Sequence, residues 1–111
     1  VIVVISQAWT KPEEAHVHAY VQLNEEFGQF FRDHPGFRGR QLVRGTEDPT
    51  HFTHLRWFDT LEDYEECTRQ QGYVEHTVKM YEHLVPYESY PREIVEVVFD
   101  ERPAPHTGDP A

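Results

Sequence analysis

The 111-residue chain has only one cysteine, Cys67. An intrachain disulfide is therefore excluded, and there is no set of thiolates to hold a metal cluster. Basic residues are scarce: ten Lys and Arg stand against twenty Asp and Glu, for a formal net charge of −10. Such a surface repels phosphate backbones and anionic membranes, so neither nucleic acid nor a membrane is expected as a partner. Long apolar runs are missing too. "VIVVI" at residues 1–5 is far shorter than a membrane span, and it lacks the basic lead and small-residue cleavage site of a signal peptide. A reducing cytoplasm fits these features. With six glycines, the chain has no glycine-rich phosphate loop, and it has neither a nucleophile elbow nor HExxH.

Aromatic residues are plentiful. Seven Phe, six Tyr and two Trp can furnish the wall of a ligand cavity as well as a core.

Residues 1–9 form a β-branched run that reads as a strand covered on both faces. Thr10 is positioned to cap a helix running to about Asp33, with Ala19, Tyr20, Leu23, Phe27, Phe30 and Phe31 along one stripe. "HPGF" at 34–37 ends it, because Pro35 disfavours helical geometry at His34. Residues 37–44 and 52–59 read as two strands joined by a turn-rich loop. Thr60 caps a second helix that Gly72 interrupts; helix resumes over 73–85, and a last strand covers 91–100. Residues 101–111 have the composition of a tail, which leaves one domain over 1–100.

The order β-α-β-β-α-β predicts an α+β, ferredoxin-like fold: a four-stranded antiparallel sheet with its helices on one face. Side chains alternate along a strand. We expect Thr53, Leu55 and Trp57 to face the helices together with Gln7. Phe52, His54, Arg56 and Phe58 should then face the other way, with Ile2, Val4 and the arginines Arg38, Arg40 and Arg44. An apolar sheet face without helices calls for a second copy, so a homodimer joined through that face is expected, with Glu96 and Asp100 available to pair with the arginines.

The pattern HPGF-x-G-x-x-L-x-R-G-x-x-D-P-x-x-F-x-x-L-x-W, followed by Tyr64, resembles the antibiotic biosynthesis monooxygenase domain, a branch of the dimeric α+β barrel superfamily. The likeness spans nearly all of residues 1–100. It implies a small monooxygenase that oxidises a planar aromatic or a tetrapyrrole in a cavity between sheet and helices. It further implies Gln7, Trp57 and His76 as catalytic positions, with Phe27, Leu55, Tyr64 and Tyr73 in the substrate wall. Two cofactor states are compatible with it: none, or haem with His76 as the iron ligand. No other metal site is expected. His16 and His18 diverge on a helix, His51 and His54 point to opposite faces of a strand, and His76 and His83 lack a third ligand. A non-enzymatic dimer that binds a small apolar ligand, and an isomerase or decarboxylase with a histidine base, are the competing readings.

Overall fold

The computed structural model describes residues 1–87 and 89–105. The chain runs β1 (Ile2–Trp9), α1 (Glu14–Phe27), β2 (Phe37–Arg44), β3 (His51–Phe58), α2 (Leu61–Thr68), α3 (Tyr73–Tyr81) and β4 (Arg92–Glu96), with a 3₁₀ turn over Gly28–Phe30 prolonging α1. The strands lie in the order β2-β3-β1-β4, every neighbouring pair antiparallel. This is the expected α+β ferredoxin-like arrangement. No helix among the described residues is long and apolar enough to cross a membrane.

Local chemistry accounts for most element ends. Thr60 opens α2 with a reciprocal capping box: its hydroxyl accepts the Asp63 N–H at 3.2 Å, and the Asp63 carboxylate accepts the Thr60 N–H at 3.1 Å. Gly72, at φ 91°, makes the left-handed turn between α2 and α3. Thr10 is not the cap of α1. It is almost fully buried and forms a β-bridge with Leu84, and the helix begins at Glu14 without a side-chain cap. Backbone pairing holds the chain past the end of β1, as Lys11 N–H donates to His83 O at 2.9 Å, so the turn into helix is delayed.

β2 carries a bulge at Arg38: Phe37 pairs with Phe58, yet Gly39 pairs with Trp57. Gly39 has φ 140°, a backbone region that residues with a Cβ rarely enter. The extra residue sets Phe37 on the same face as Arg40, Leu42 and Arg44, against the simple alternation. β4 stops at Glu96, opposite Ile2, rather than reaching residue 100; Val98 and Phe99 are exposed. Of the predicted tail, residues 106–111 lie outside the described residues.

The sheet faces are exchanged relative to the sequence expectation. Residues paired across antiparallel strands share a face, and Val4 pairs with Arg56, Ser6 with His54 and Ala8 with Phe52. It is this face that lies under the helices. Val4, Phe52 and Phe58 pack in one core with Tyr20, Phe27, Phe31, Tyr64 and Met80, and His54 and Arg56 are buried among them. Leu55 and Trp57 are only half-buried and look out on the opposite face. Both faces of β1 and β3 carry large apolar residues, so hydropathy alone does not decide between them; polar His54 and Arg56 tip the balance outward in a sequence reading, whereas the fold gives both an inner role. The apolar residues of the uncovered face are Val3, Ile5, Leu55, Trp57, Val43 and Val95, interspersed with Gln7, Gln41, Thr53 and Glu93.

Candidate functional site

A cavity of about 1270 Å³ separates the inner sheet face from the helices. Ser6, Ala8, His54 and Arg56 form its floor. Tyr20 and Phe27 of α1, Tyr64 and Thr68 of α2, and Tyr73, Thr77 and Met80 of α3 form its walls; Tyr87, Tyr90 and Arg92 stand on the approach to β4. All six tyrosines of the chain border this one space. The space is half open to solvent, and its volume exceeds the roughly 300–1,000 Å³ of ordinary ligand pockets.

Two arginines flank His54 of the floor: Arg56 on the lining itself, and Arg40 outside it. Arg40 lies beneath the C-terminal end of α1, where its guanidinium donates to the Asn24 and Glu25 carbonyls at 2.8 and 3.0 Å and to Asn24 Oδ1 at 2.9 Å. These carbonyls belong to the last turn of α1, where Glu25 O also accepts from the Gly28 N–H, so a cation there adds hydrogen bonds and complements the helix dipole. Burial and the charges of Arg32 and Arg56 lower the Arg40 pKa from its ordinary value.

Arg40 also donates to His54 Nε2 at 3.2 Å. A guanidinium has no acceptor, so Nε2 must accept, which puts the proton of the neutral ring on Nδ1. Burial, then the Arg56 and Arg40 charges, hold the His54 pKa well below the usual imidazole value. His54 thus presents an N–H donor rather than a base.

Arg56 is 3% exposed. It donates from Nη2 to Ser6 Oγ, its Nε is buried without a partner, and the guanidinium carbon lies 5.5 Å from the centre of the Tyr64 ring and 6.0 Å from that of Phe31. Arg92 approaches the same tyrosine from the mouth, donating to its hydroxyl at 3.0 Å. Burial pushes Tyr20 up to about 12 and raises Tyr73 further, so both remain neutral phenols that can donate.

Of the residues predicted for the site, Phe27, Tyr64 and Tyr73 border the cavity. Gln7 touches it, yet its side-chain oxygen accepts from His51 at 2.7 Å and Thr53 at 2.8 Å on the opposite face of the sheet. Leu55 and Trp57 lie on that outer face as well. The expected grouping of Gln7, Leu55 and Trp57 with the helix-side residues is corrected accordingly. The arginines, expected together on the dimer side, separate: Arg38 pairs with Asp59 at the surface, Arg44 lies over Phe52, Arg40 is half-buried under α1, and Arg56 is buried; Asp100 pairs with Arg102.

His76 is buried in α3 but does not border the cavity. Its Nε2 donates to Leu23 O at 2.8 Å and its ring stacks on Phe27, with centroids 5.4 Å apart. A haem ligand needs a free ring nitrogen facing the macrocycle. This histidine spends Nε2 on a backbone carbonyl and is wedged between Phe27 and Phe30, so it does not fit haem ligation. His34, Asp63 and Glu66 come close together on the surface, but each is already engaged: His34 with Glu66 and the Gly36 N–H, Asp63 in the capping box.

Sequence reasoning missed His54, Arg56 and Arg92. The available signal was the set of tyrosines at 64, 73, 81, 87 and 90, which leaves a tyrosine-lined space needing polar partners from the sheet.

The profile of the antibiotic biosynthesis monooxygenase family matches residues 1–79. The chain belongs to this family. Among solved structures, a variant of SnoaB, a cofactor-independent oxygenase from Streptomyces nogalater, superposes with a TM-score of 0.76 at 10% identity, over 89% of this chain and 94% of that one. Rv0793 from Mycobacterium tuberculosis gives 0.75 at 13% identity, over 91% and 98%. No curated protein is similar enough in sequence to count as a relative. At these identities the structural likeness establishes the shared fold.

Proposed function

We propose that the chain is a small oxygenase that oxidises a planar aromatic substrate in the cavity between sheet and helices, and that it works as a cytoplasmic homodimer. The observation that carries this reading is the tyrosine-walled cavity of about 1270 Å³ in a member of a monooxygenase family. Phe27, Tyr64 and Tyr73 would grip the ring system by stacking and edge contacts. The substrate itself would supply the electrons. In the oxidation of an anthrone-like methylene, two C–H bonds break and one oxygen atom of O2 becomes the carbonyl oxygen; the other leaves as water with both hydrogens. The substrate is oxidised by four electrons and O2 is reduced by four. His54 and the neutral tyrosines would donate hydrogen bonds to oxygen as negative charge develops on it. The dimer is supported by the uncovered apolar face around Ile5, Val43, Leu55 and Trp57, where Val43 is 44% exposed.

The test is oxygen uptake with an anthrone-type phenol, run beside a Thr77→Trp variant that fills the cavity. Uptake that the variant loses supports the reading. Ligand binding without turnover by the unaltered protein would replace it with a binding module, and the absence of both would overturn it.

A further inference from the structure

The cavity lining carries two cations, Arg56 and Arg92, among neutral hydroxyl and imidazole groups. Arg56, His54 Nδ1–H, Tyr73 and Arg92 all offer N–H or O–H groups. Among the described residues, the one carboxylate on the lining is Glu65, half exposed at the rim and 3.9 Å from Arg69. Among the described residues, no carboxylate lies within ion-pair distance of Arg56, although its guanidinium is buried. A buried charge ordinarily has a partner, because desolvation is otherwise uncompensated. Arg56 has one neutral hydroxyl, two aromatic rings and an Nε with nothing to donate to. Three features coincide among the described residues: a buried cation with no carboxylate partner, a second arginine across the same tyrosine, and a floor without a counter-charge.

We infer that Arg56 is the anion-recognition residue of the cavity, and that its ligand is a planar aromatic bearing an oxyanion, either a carboxylate or an ionised phenol. Guanidinium forks bind such oxygens with two parallel N–H donors, and a low-dielectric setting strengthens the pair. Arg92 gives the approaching anion a first cation at the mouth. This inference rests on the cavity being a ligand site, as proposed above, and adds the charge of the ligand.

The experiment compares three probes on the full chain by titration calorimetry: 2-naphthoate, its neutral isostere 2-naphthamide, and 2-naphthol, whose absorption reports whether it binds as the phenolate. The unaltered protein should bind naphthoate at least about tenfold more tightly than naphthamide. A naphtholate band at neutral pH would identify the phenolate as the preferred source of the anion; naphthoate preference without that band would identify the carboxylate. Arg56→Met should bring naphthoate and naphthamide to similar affinities, and it should melt no lower than the parent protein, since it removes a buried charge that has no partner. A markedly lower melting temperature with the tenfold preference intact would assign Arg56 to structure and overturn the inference. Should Arg56→Met fail to fold, Arg56→Lys keeps the charge and loses the fork; an unchanged preference in that variant also overturns it. Equal binding of naphthoate and naphthamide by the unaltered protein refutes anion recognition and leaves the aromatic cavity standing. No binding of any probe refutes both.

Discussion

Arg40 donates to Nε2 of His54 at 3.2 Å across two neighbouring strands, so a cation holds an imidazole in its neutral form. The pH dependence of stability follows from this contact. In the unfolded chain His54 titrates near its ordinary value of about 6.5; in the folded chain burial and the flanking Arg56 and Arg40 charges put its pKa well below that. Above pH 6.5 both states are neutral at this site and it contributes no slope. As the pH falls below 6.5 the unfolded state binds a proton that the folded state refuses, and stability declines by up to about 1.4 kcal/mol per pH unit until the folded pKa is reached. Urea unfolding at pH 7 and pH 5 should therefore show a loss in the unaltered protein that is smaller in His54→Gln. Equal losses in the two proteins would mean that His54 is not held neutral.

Local signals carried the fold a long way. Thr60 three residues before Asp63 and Gly72 between two helical stretches each act within a few residues and begin an element as expected, whereas α1 and its 3₁₀ turn end at Phe30, short of the expected Asp33 and of the HPGF turn. The facing of the sheet is not local. It depends on a register in which Val3 or Val4, and Phe52 or Thr53, are almost equally acceptable inside, and on a bulge at Arg38 that alternation does not reveal. The site inherited the same ambiguity. Tyr64, Tyr73 and Phe27 sit on helices whose apolar stripe is unmistakable, whereas the placement of Gln7, Leu55 and Trp57 required the sheet face to be known. Arg56 was illegible for another reason: a buried cation is intelligible only once the empty space beside it is seen.

The two faces of β3 should separate under mutation. Leu55→Asp places a charge on the uncovered face and should convert the proposed dimer to monomer by light scattering, while leaving affinity for an aromatic probe within about threefold. Tyr73→Ala should do the reverse, weakening the probe by tenfold or more with no change in mass. A Leu55→Asp protein of unaltered mass would count against assembly through this face.

Phe31 is fully buried at the end of the 3₁₀ turn and lies edge-on to Phe27 and Phe58, with ring centroids 5.1 and 6.0 Å away. It ties α1 to β3 in a small core. Phe31→Ala removes this packing and leaves a void, at a cost of about 3–5 kcal/mol. Urea unfolding should show the midpoint falling accordingly. A loss below about 1 kcal/mol would mean that the core collapses around the missing ring.

Cys67 offers a contrast with the polar floor of the cavity. It is fully buried in α2; burial first, and then the Glu66 and Asp63 charges, push its thiol up to about 11. The reactive species of a cysteine is the thiolate, so this side chain is both protonated and inaccessible at neutral pH. Native protein at pH 8 should react with an aromatic disulfide reagent no faster than it unfolds, and protein in denaturant should react at once. Cys67→Ser places a hydroxyl in the same apolar slot and should cost about 1–3 kcal/mol, since the oxygen must be desolvated without an assured partner. Rapid modification of the folded protein would instead require α2 to open locally, which would show independently as fast amide exchange at Tyr64 and Cys67.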